Sequence, residues 1–242
     1  MILQESTVEL ETPGGPMRSF VYRPVAPGRY PGIVLFSEIF QRTGPIGRMA
    51  ALFASHGYVV LVPEIFHEFE APGTVLPYDT AGADRGNFCK VNKPVPAYDA
   101  DARAALDHLQ SRDDCNQRLA TLGVCIGGHL AFRCALDARV RAAACFYATD
   151  LHKASLGLGG DDSLNRAAEI QGELMMVWGR QDPHVPLEGR QRIHARLAET
   201  NRNFTWHEFN AAHAFLRDEG PRYDPALALL SYRLVLDLFA RM

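Results

Sequence analysis

The stretch TLGVCIGGHLAF, residues 121–132, decides how the rest of the chain is read. A run of small and apolar residues reaches Cys125, which lies between Gly123 and the pair Gly127-Gly128, and passes directly into a helix-like pattern. A cysteine that only fills a core needs no glycine on either side. A nucleophile on a sharp strand-to-helix turn does, because the turn lifts its side chain clear of the backbone and crowds the flanking positions against their neighbours. The helix that follows aims its N–H groups and the positive end of its dipole at Cys125, which favours negative charge on the sulfur. The plain alternative is a glycine-rich turn that carries a buried cysteine, since free cysteine packs as a small hydrophobe. Cys89, Cys115, Cys134 and Cys145 have no such setting and read as core thiols.

A nucleophile needs a base, and the base needs an orienting group. Beyond Cys125, GELMMVWGRQDPHVP (172–186) places Asp182 in the turn after an apolar strand. Further on, FTWHEFNAAHAF (204–215) places His213 in the loop after the next strand. Singly, Asp182 reads equally well as an Asp-Pro turn residue and His213 as a loop histidine. Together they give the order nucleophile, acid, histidine, each beyond the carboxyl end of an expected strand.

The surrounding elements fit that placement. Residues 6–24 read as a β-hairpin around Pro13-Gly14-Gly15. PGIVLFSEIF (31–40), YVVLVPE (58–64), RLATLGVC (118–125), RAAACFYA (141–148) and GELMMVWG (172–179) are the continuous apolar runs of strands buried on both faces, and NFTWHEF (203–209) is one more strand. Helical periodicity marks 45–57, 97–112, 187–200 and 224–241. Alternation of this kind predicts an α/β fold, a mostly parallel central sheet with helices on both faces, in one domain over 1–242. Residues 63–98 hold five prolines and mixed charges without clear periodicity, and are expected to form a long loop able to cover the site.

Composition narrows the partners. The net charge of −3, spread along 242 residues, argues against nucleic acid or an anionic membrane. The opening MILQESTVELETPGG does not read as a signal peptide, and no apolar run approaches the roughly 18 residues of a membrane span. Five cysteines without a CxxC pair suit free thiols in a reducing cytoplasm. His67, with Glu64, Glu68 or Glu70, lacks HxxxH or HExxH spacing, so no metal and no cofactor are expected.

These residues resemble the dienelactone hydrolases, α/β-hydrolases with a cysteine nucleophile. The resemblance spans nearly the whole chain and rests on Glu38-Ile39-Phe40, Gly123-x-Cys125-x-Gly127-Gly128, Asp182-Pro183 and His213-x-Phe215; EAPGTVLP (70–77) adds to it. It implies an α/β-hydrolase fold and a Cys125-His213-Asp182 triad. It further implies that Glu38 contacts the resting thiol, that the Ile39 amide shares the oxyanion hole with that of Ile126, and that Arg217 binds a substrate carboxylate. Ala214 departs from the family's usual serine, and 78–94 from its arginine- and tyrosine-bearing loop; Arg85, Lys90 and Lys93 lie in that stretch, Arg85 being the second candidate for the carboxylate. The expected activity is hydrolysis of a small ester or lactone, carboxylate-bearing, through a thioester, by a monomer or homodimer. A carboxylesterase, thioesterase or promiscuous phosphotriesterase would use the same triad, and a non-catalytic thiol redox sensor would need neither Asp182 nor His213.

Overall fold

The computed structural model describes residues 1–242. Its strands are β1 (Leu3–Thr12), β2 (Gly15–Pro24), β3 (Tyr30–Phe36), β4 (Val59–Pro63), β5 (Cys115–Val124), β6 (Val140–Phe146), β7 (Glu173–Gly179) and β8 (Phe204–Phe209). They form one sheet in the order β1-β2-β4-β3-β5-β6-β7-β8. The expected hairpin is present, with Thr12 paired to Gly15, and β2 runs antiparallel to β4. From β4 onward every pairing is parallel.

Parallel strands need crossovers, and these put helices on both faces. Residues of α1 (Gly44–Ser55) and α6 (Pro225–Ala240) pack with Ile33 and Leu35 in one apolar cluster. Residues of α3 (Val95–Ser111), α4 (Ile126–Cys134) and α5 (Leu187–Glu199) pack with Val34 and Phe36 in the other. Successive β3 residues thus serve opposite cores, which is why the run reads as continuously apolar. Local signals fix the ends: α1 carries Pro45 in its first turn, and the Asp224 side chain accepts from Leu227 N–H at 3.0 Å to start α6. No helix is long and apolar enough to cross a membrane.

Segment 63–98 departs from the expected loop. After turns over its first part it forms α2 (Thr80–Asn92), and α3 already begins at Val95. Asp79 caps α2 by accepting from Gly82 N–H at 2.8 Å. The buried face of α2 is Gly82, Gly86 and Cys89, so it shows no stripe of large apolar residues. A methyl on Gly82 would lie 2.0 Å from the Pro77 carbonyl oxygen, and one on Gly86 2.5 Å from that of Ile39. The residues that let this helix seat are the ones that argue against a helix on propensity.

Candidate active site

Cys125 follows β5 and caps α4 at φ +61°, ψ −124°, a positive-φ conformation that costs a non-glycine residue of order 1–3 kcal/mol. It is held on both sides: its N–H donates to Phe146 O at 3.1 Å and its carbonyl accepts from Thr149 N–H at 3.3 Å. The glycines around it are required by close approach. A Cβ on Gly123 would meet Gly127 O at 1.8 Å, one on Gly127 would meet Phe36 O at 2.1 Å, and one on Gly128 would meet Phe146 O at 2.5 Å. The turn therefore raises the sulfur from the β5 terminus with α4 starting beneath it.

Asp182 and His213 follow β7 and β8 and are both buried. Asp182 Oδ2 lies 2.7 Å from His213 Nδ1, and its Oδ1 accepts from His184 N–H at 2.8 Å. With Nδ1 committed to Asp182, Nε2 is the nitrogen left for other chemistry. Burial opposes a charge on His213, but the Cys125 sulfur and the Asp182 bond outweigh it, raising its pKa to about 10. Burial likewise opposes charge on Asp182, yet the His213 bond and charge hold its carboxyl below the usual range. The rings of Tyr147 and His184 pack on His213 at centroid distances of 5.0 and 4.6 Å.

Glu38 sits just past β3 and is 3% exposed. Its Oε2 accepts from Tyr78 O–H at 3.1 Å and lies 3.9 Å from an Arg217 guanidinium nitrogen, and it makes no hydrogen bond to Cys125. Tyr78 is the partner that the carboxylate hydrogen-bonds in this structure, and Glu38 and Cys125 line the same cavity. Burial pushes the Glu38 pKa up, offset in part by the charges of Arg217 and His213. The Ile39 amide donates to no carbonyl, and that of Ile126 is the first N–H of α4, which has no partner one turn back within the helix. Both lie beside the sulfur-bearing turn, since Ile39 and Cys125 line the same cavity.

That cavity measures about 560 Å³ and is bounded by Glu38, Tyr78, Cys125, His184, His213 and Arg217, with α2 contributing Thr80, Ala83, Asn87 and Lys90. Arg217 is half-buried, stacked over the Tyr78 ring at 4.3 Å. Its neighbours Asp218 and Glu219 are taken by Arg48. Arg85 corrects the expectation for it. It does not line the cavity but pairs with Glu70, donates to Phe69 O and stacks on Phe88. Because α2 is a helix, its register turns Lys90 inward, where it pairs with Asp150 at 2.8 Å. Lys93 is fully buried among Glu68, Asp101 and the Ile65 carbonyl. His67 faces the same two carboxylates, so Lys93 occupies the place a metal would take. Glu64 and Glu70 are engaged elsewhere, with Gly73 N–H and Arg85.

Sequence reasoning missed Tyr78, His184 and Arg222, all on the cavity wall. His184 was the most accessible of these, two residues past Asp182 in the same post-strand turn. Tyr78 and Arg222 carried no signal outside their tertiary setting.

Comparison with known proteins gives the family and the fold. The sequence matches the dienelactone hydrolase family over residues 17–242. It is 40% identical over 254 aligned residues to a putative carboxymethylenebutenolidase of Saccharomyces cerevisiae, covering all of this chain and 93% of that one. The fold superposes on the crystal structure of a putative dienelactone hydrolase from Klebsiella pneumoniae with a TM-score of 0.81 at 21% identity, each chain fully covered. It also superposes on a dienelactone hydrolase-like promiscuous phosphotriesterase from metagenomic libraries, with a TM-score of 0.80 at 19% identity over 100% of this chain and 99% of that one. The chain belongs to the dienelactone hydrolase family and is an α/β-hydrolase-fold enzyme that cleaves ester or lactone bonds.

Proposed function

We propose that the protein hydrolyses a small carboxylate-bearing ester or lactone through a thioester on Cys125. The observation that carries this is the Cys125 sulfur on its strained turn, at a cavity shared with a histidine already tied to Asp182. His213 Nε2 takes the proton of the Cys125 thiol, leaving a thiolate beside an imidazolium. The thiolate attacks the carbonyl carbon, and the carbonyl electron pair moves to oxygen. That oxyanion meets the Ile39 and Ile126 amides, each such donor being worth about 2.7–4 kcal/mol in the transition state. Collapse of the intermediate breaks the bond to the leaving oxygen, which takes the proton from His213 Nε2. His213, neutral once the sulfur is acylated, then takes a proton from water. Hydroxide adds to the thioester, and the thiolate departs.

Arg217 suits the substrate carboxylate because a guanidinium pairs with it in a planar, two-bonded way. Glu38, fixed by Tyr78, holds Arg217 toward the cavity. The five free thiols suit a cytoplasmic setting. Cys89, Cys115, Cys134 and Cys145 are buried with pKa values raised by desolvation, so a single reactive thiol is expected. One equivalent of a thiol alkylator should abolish hydrolysis, with Cys125 as the labelled residue. Cys125→Ala should lower kcat/KM on enol lactones, nitrophenyl esters and thioesters by at least about 10³-fold. Full turnover in that variant, or label on another cysteine, would overturn the mechanism. A phosphotriester in the same panel separates the carboxyl-ester reading from a phosphotriesterase.

A further inference from the structure

The nucleophile helix carries a second buried histidine–carboxylate pair, which the mechanism above does not use. His129 stands one turn beyond Cys125 on α4 and is fully buried. Its Nδ1 donates to Thr149 O at 2.9 Å, and its Nε2 lies 3.2 Å from Asp161 Oδ1. A carbonyl can only accept, so Nδ1 carries a proton. Asp161 is anchored in turn: its side chain is fully buried and accepts from Leu156 N–H and Ser163 N–H, both at 2.8 Å. One turn further along α4, Arg133 pairs with Asp162 at 2.7 Å. The helix thus grips segment 149–163 at two consecutive aspartates.

That grip fixes Thr149 against the sulfur-bearing turn. Thr149 N–H donates to Cys125 O at 3.3 Å and its carbonyl accepts from His129, so both of its backbone groups are held. Two residues back, the Tyr147 ring packs on His213 at a centroid distance of 5.0 Å. Segment 147–149 therefore touches both the nucleophile residue and its base. In the sheet, β5 lies between β3 and β6, so Thr149, after β6, flanks Cys125 on the side away from the Ile39 loop, after β3. Thr149 lines the cavity at 7% exposure, and its hydroxyl makes no hydrogen bond within the protein. The carboxylates of that wall are engaged, Glu38 by Tyr78, Asp79 by Gly82 N–H and Asp150 by Lys90. Thr80 and Asn87 belong to α2 rather than to the strand ends that carry the triad.

A water that attacks a thioester is best placed by two acceptors, one for the proton it gives up and one for the proton it keeps, so that a lone pair faces the carbonyl carbon. His213 Nε2 is the first. We propose that the Thr149 hydroxyl is the second, a further catalytic residue that holds the hydrolytic water, and that His129, braced by Asp161, is the positioning residue that keeps it in place. The water oxygen bonds to the thioester carbon while one proton passes to Nε2. The electron pair then returns from the oxyanion, the C–S bond breaks, and the acid leaves. The proton on Nε2 goes back to the sulfur. Thr149 accepts a hydrogen bond throughout and exchanges no proton. In acylation the leaving oxygen stands where the water later stands, but a nitrophenolate departs without help from a hydroxyl. With such esters the contribution of Thr149 falls on deacylation.

This proposal rests on the hydrolase reading above, and the test separates the two. A nitrophenyl ester is mixed rapidly with the enzyme: nitrophenolate release reports acylation, and loss of the acyl mass from Cys125 reports deacylation. Thr149→Val, equal in shape but without the hydroxyl, should leave acylation within about two-fold of wild type and slow deacylation on the order of ten-fold. Thr149→Ser keeps the hydroxyl and should deacylate near the wild-type rate. His129→Asn, whose amide can donate from about the place of Nδ1, should also stay near wild type, whereas His129→Leu should slow deacylation as Thr149→Val does. Wild-type deacylation in Thr149→Val overturns the role of the hydroxyl, and so does an equal fall in acylation, which marks Thr149 as packing. Wild-type deacylation in His129→Leu overturns the positioning role. In each of these cases the acylated Cys125 leaves the hydrolase reading standing. If the wild type shows neither turnover nor acylated Cys125, both readings fall.

Discussion

The nucleophile turn at 123–128 and helix α2 solve the same steric problem, but only one of them announces it. Each needs glycine because a backbone carbonyl presses where a Cβ would be. At Gly123 and Gly127 the intruding oxygens are 1.8 and 2.1 Å away; at Gly82 and Gly86 they are 2.0 and 2.5 Å away. At the turn, Gly123 is crowded from within the same strand-to-helix connection and Gly127 by Phe36 at the end of β3, but both glycines fall in the fixed spacing Gly-x-Cys-x-Gly, which carries them in the sequence. In α2, the crowding comes from Pro77 and from Ile39, the latter 47 positions upstream of Gly86. A glycine demanded by a distant neighbour looks like a helix breaker until that neighbour is seen. Close packing is readable where its glycines fall in a motif tied to a nucleophile, as around Cys125, and hidden where they do not, whether the neighbour is as near as Pro77 or as far as Ile39.

The strongest way to break this equivalence is to add a methyl at each place. Gly123→Ala puts a Cβ on a carbonyl oxygen that has no flexible side chain to yield. The expected loss is more than about 3 kcal/mol, or no folded protein at all, read from soluble yield and thermal unfolding. A Tm near wild type would show that the turn can open and would remove the steric reason for its glycines.

Gly86→Ala tests the other side and should be milder. Overpacking against Ile39 O costs roughly 1–3 kcal/mol, while alanine regains about 1 kcal/mol of helix propensity. The net expected loss is about 1 kcal/mol, or roughly 2–4 °C in Tm for a chain of this size. Activity should suffer more than stability, because the displaced Ile39 peptide adjoins a proposed oxyanion donor. We expect kcat to fall about ten-fold with the alkylation rate of Cys125 unchanged. An unchanged kcat would reduce α2 to a passive wall.

The same contrast explains what was legible. Cys125, Asp182 and His213 each follow an apolar run, so the strand pattern alone sets them at the carboxyl edge of the sheet. The alternation that feeds two cores set the strand and helix order. Arg85 was misjudged for want of one fact, that 80–92 is a helix. Without its register nothing separates Arg85, turned out toward Glu70, from Lys90, turned in toward Asp150. Glu38 was found as a site residue, but its partner was not. Tyr78 lies 40 positions away, and a hydrogen bond across that separation leaves no periodic trace.

Glu38 lies on the loop that α2 presses upon, and it sharpens the comparison in the smallest and most pH-sensitive way. Its carboxyl is buried and its pKa raised in the fold, first by desolvation, so folding favours the protonated form. A group raised in this sense contributes stability below its unfolded pKa of about 4, and that contribution is lost as pH rises through the folded value. At neutral pH the wild type therefore carries a cost that Glu38→Gln removes, while the amide oxygen can still accept from Tyr78 O–H. The expected gain is about 1 kcal/mol, or roughly 2–4 °C in Tm, at pH 8, shrinking toward zero near pH 4. The same variant should lower kcat/KM, because Arg217 loses the carboxylate that faces it at 3.9 Å. Thermal melts of both proteins from about pH 4 to 8 check the sign. A glutamine variant that is less stable at pH 8 would mean that Arg217 and Tyr78 more than repay the burial, and that Glu38 braces the loop rather than straining it.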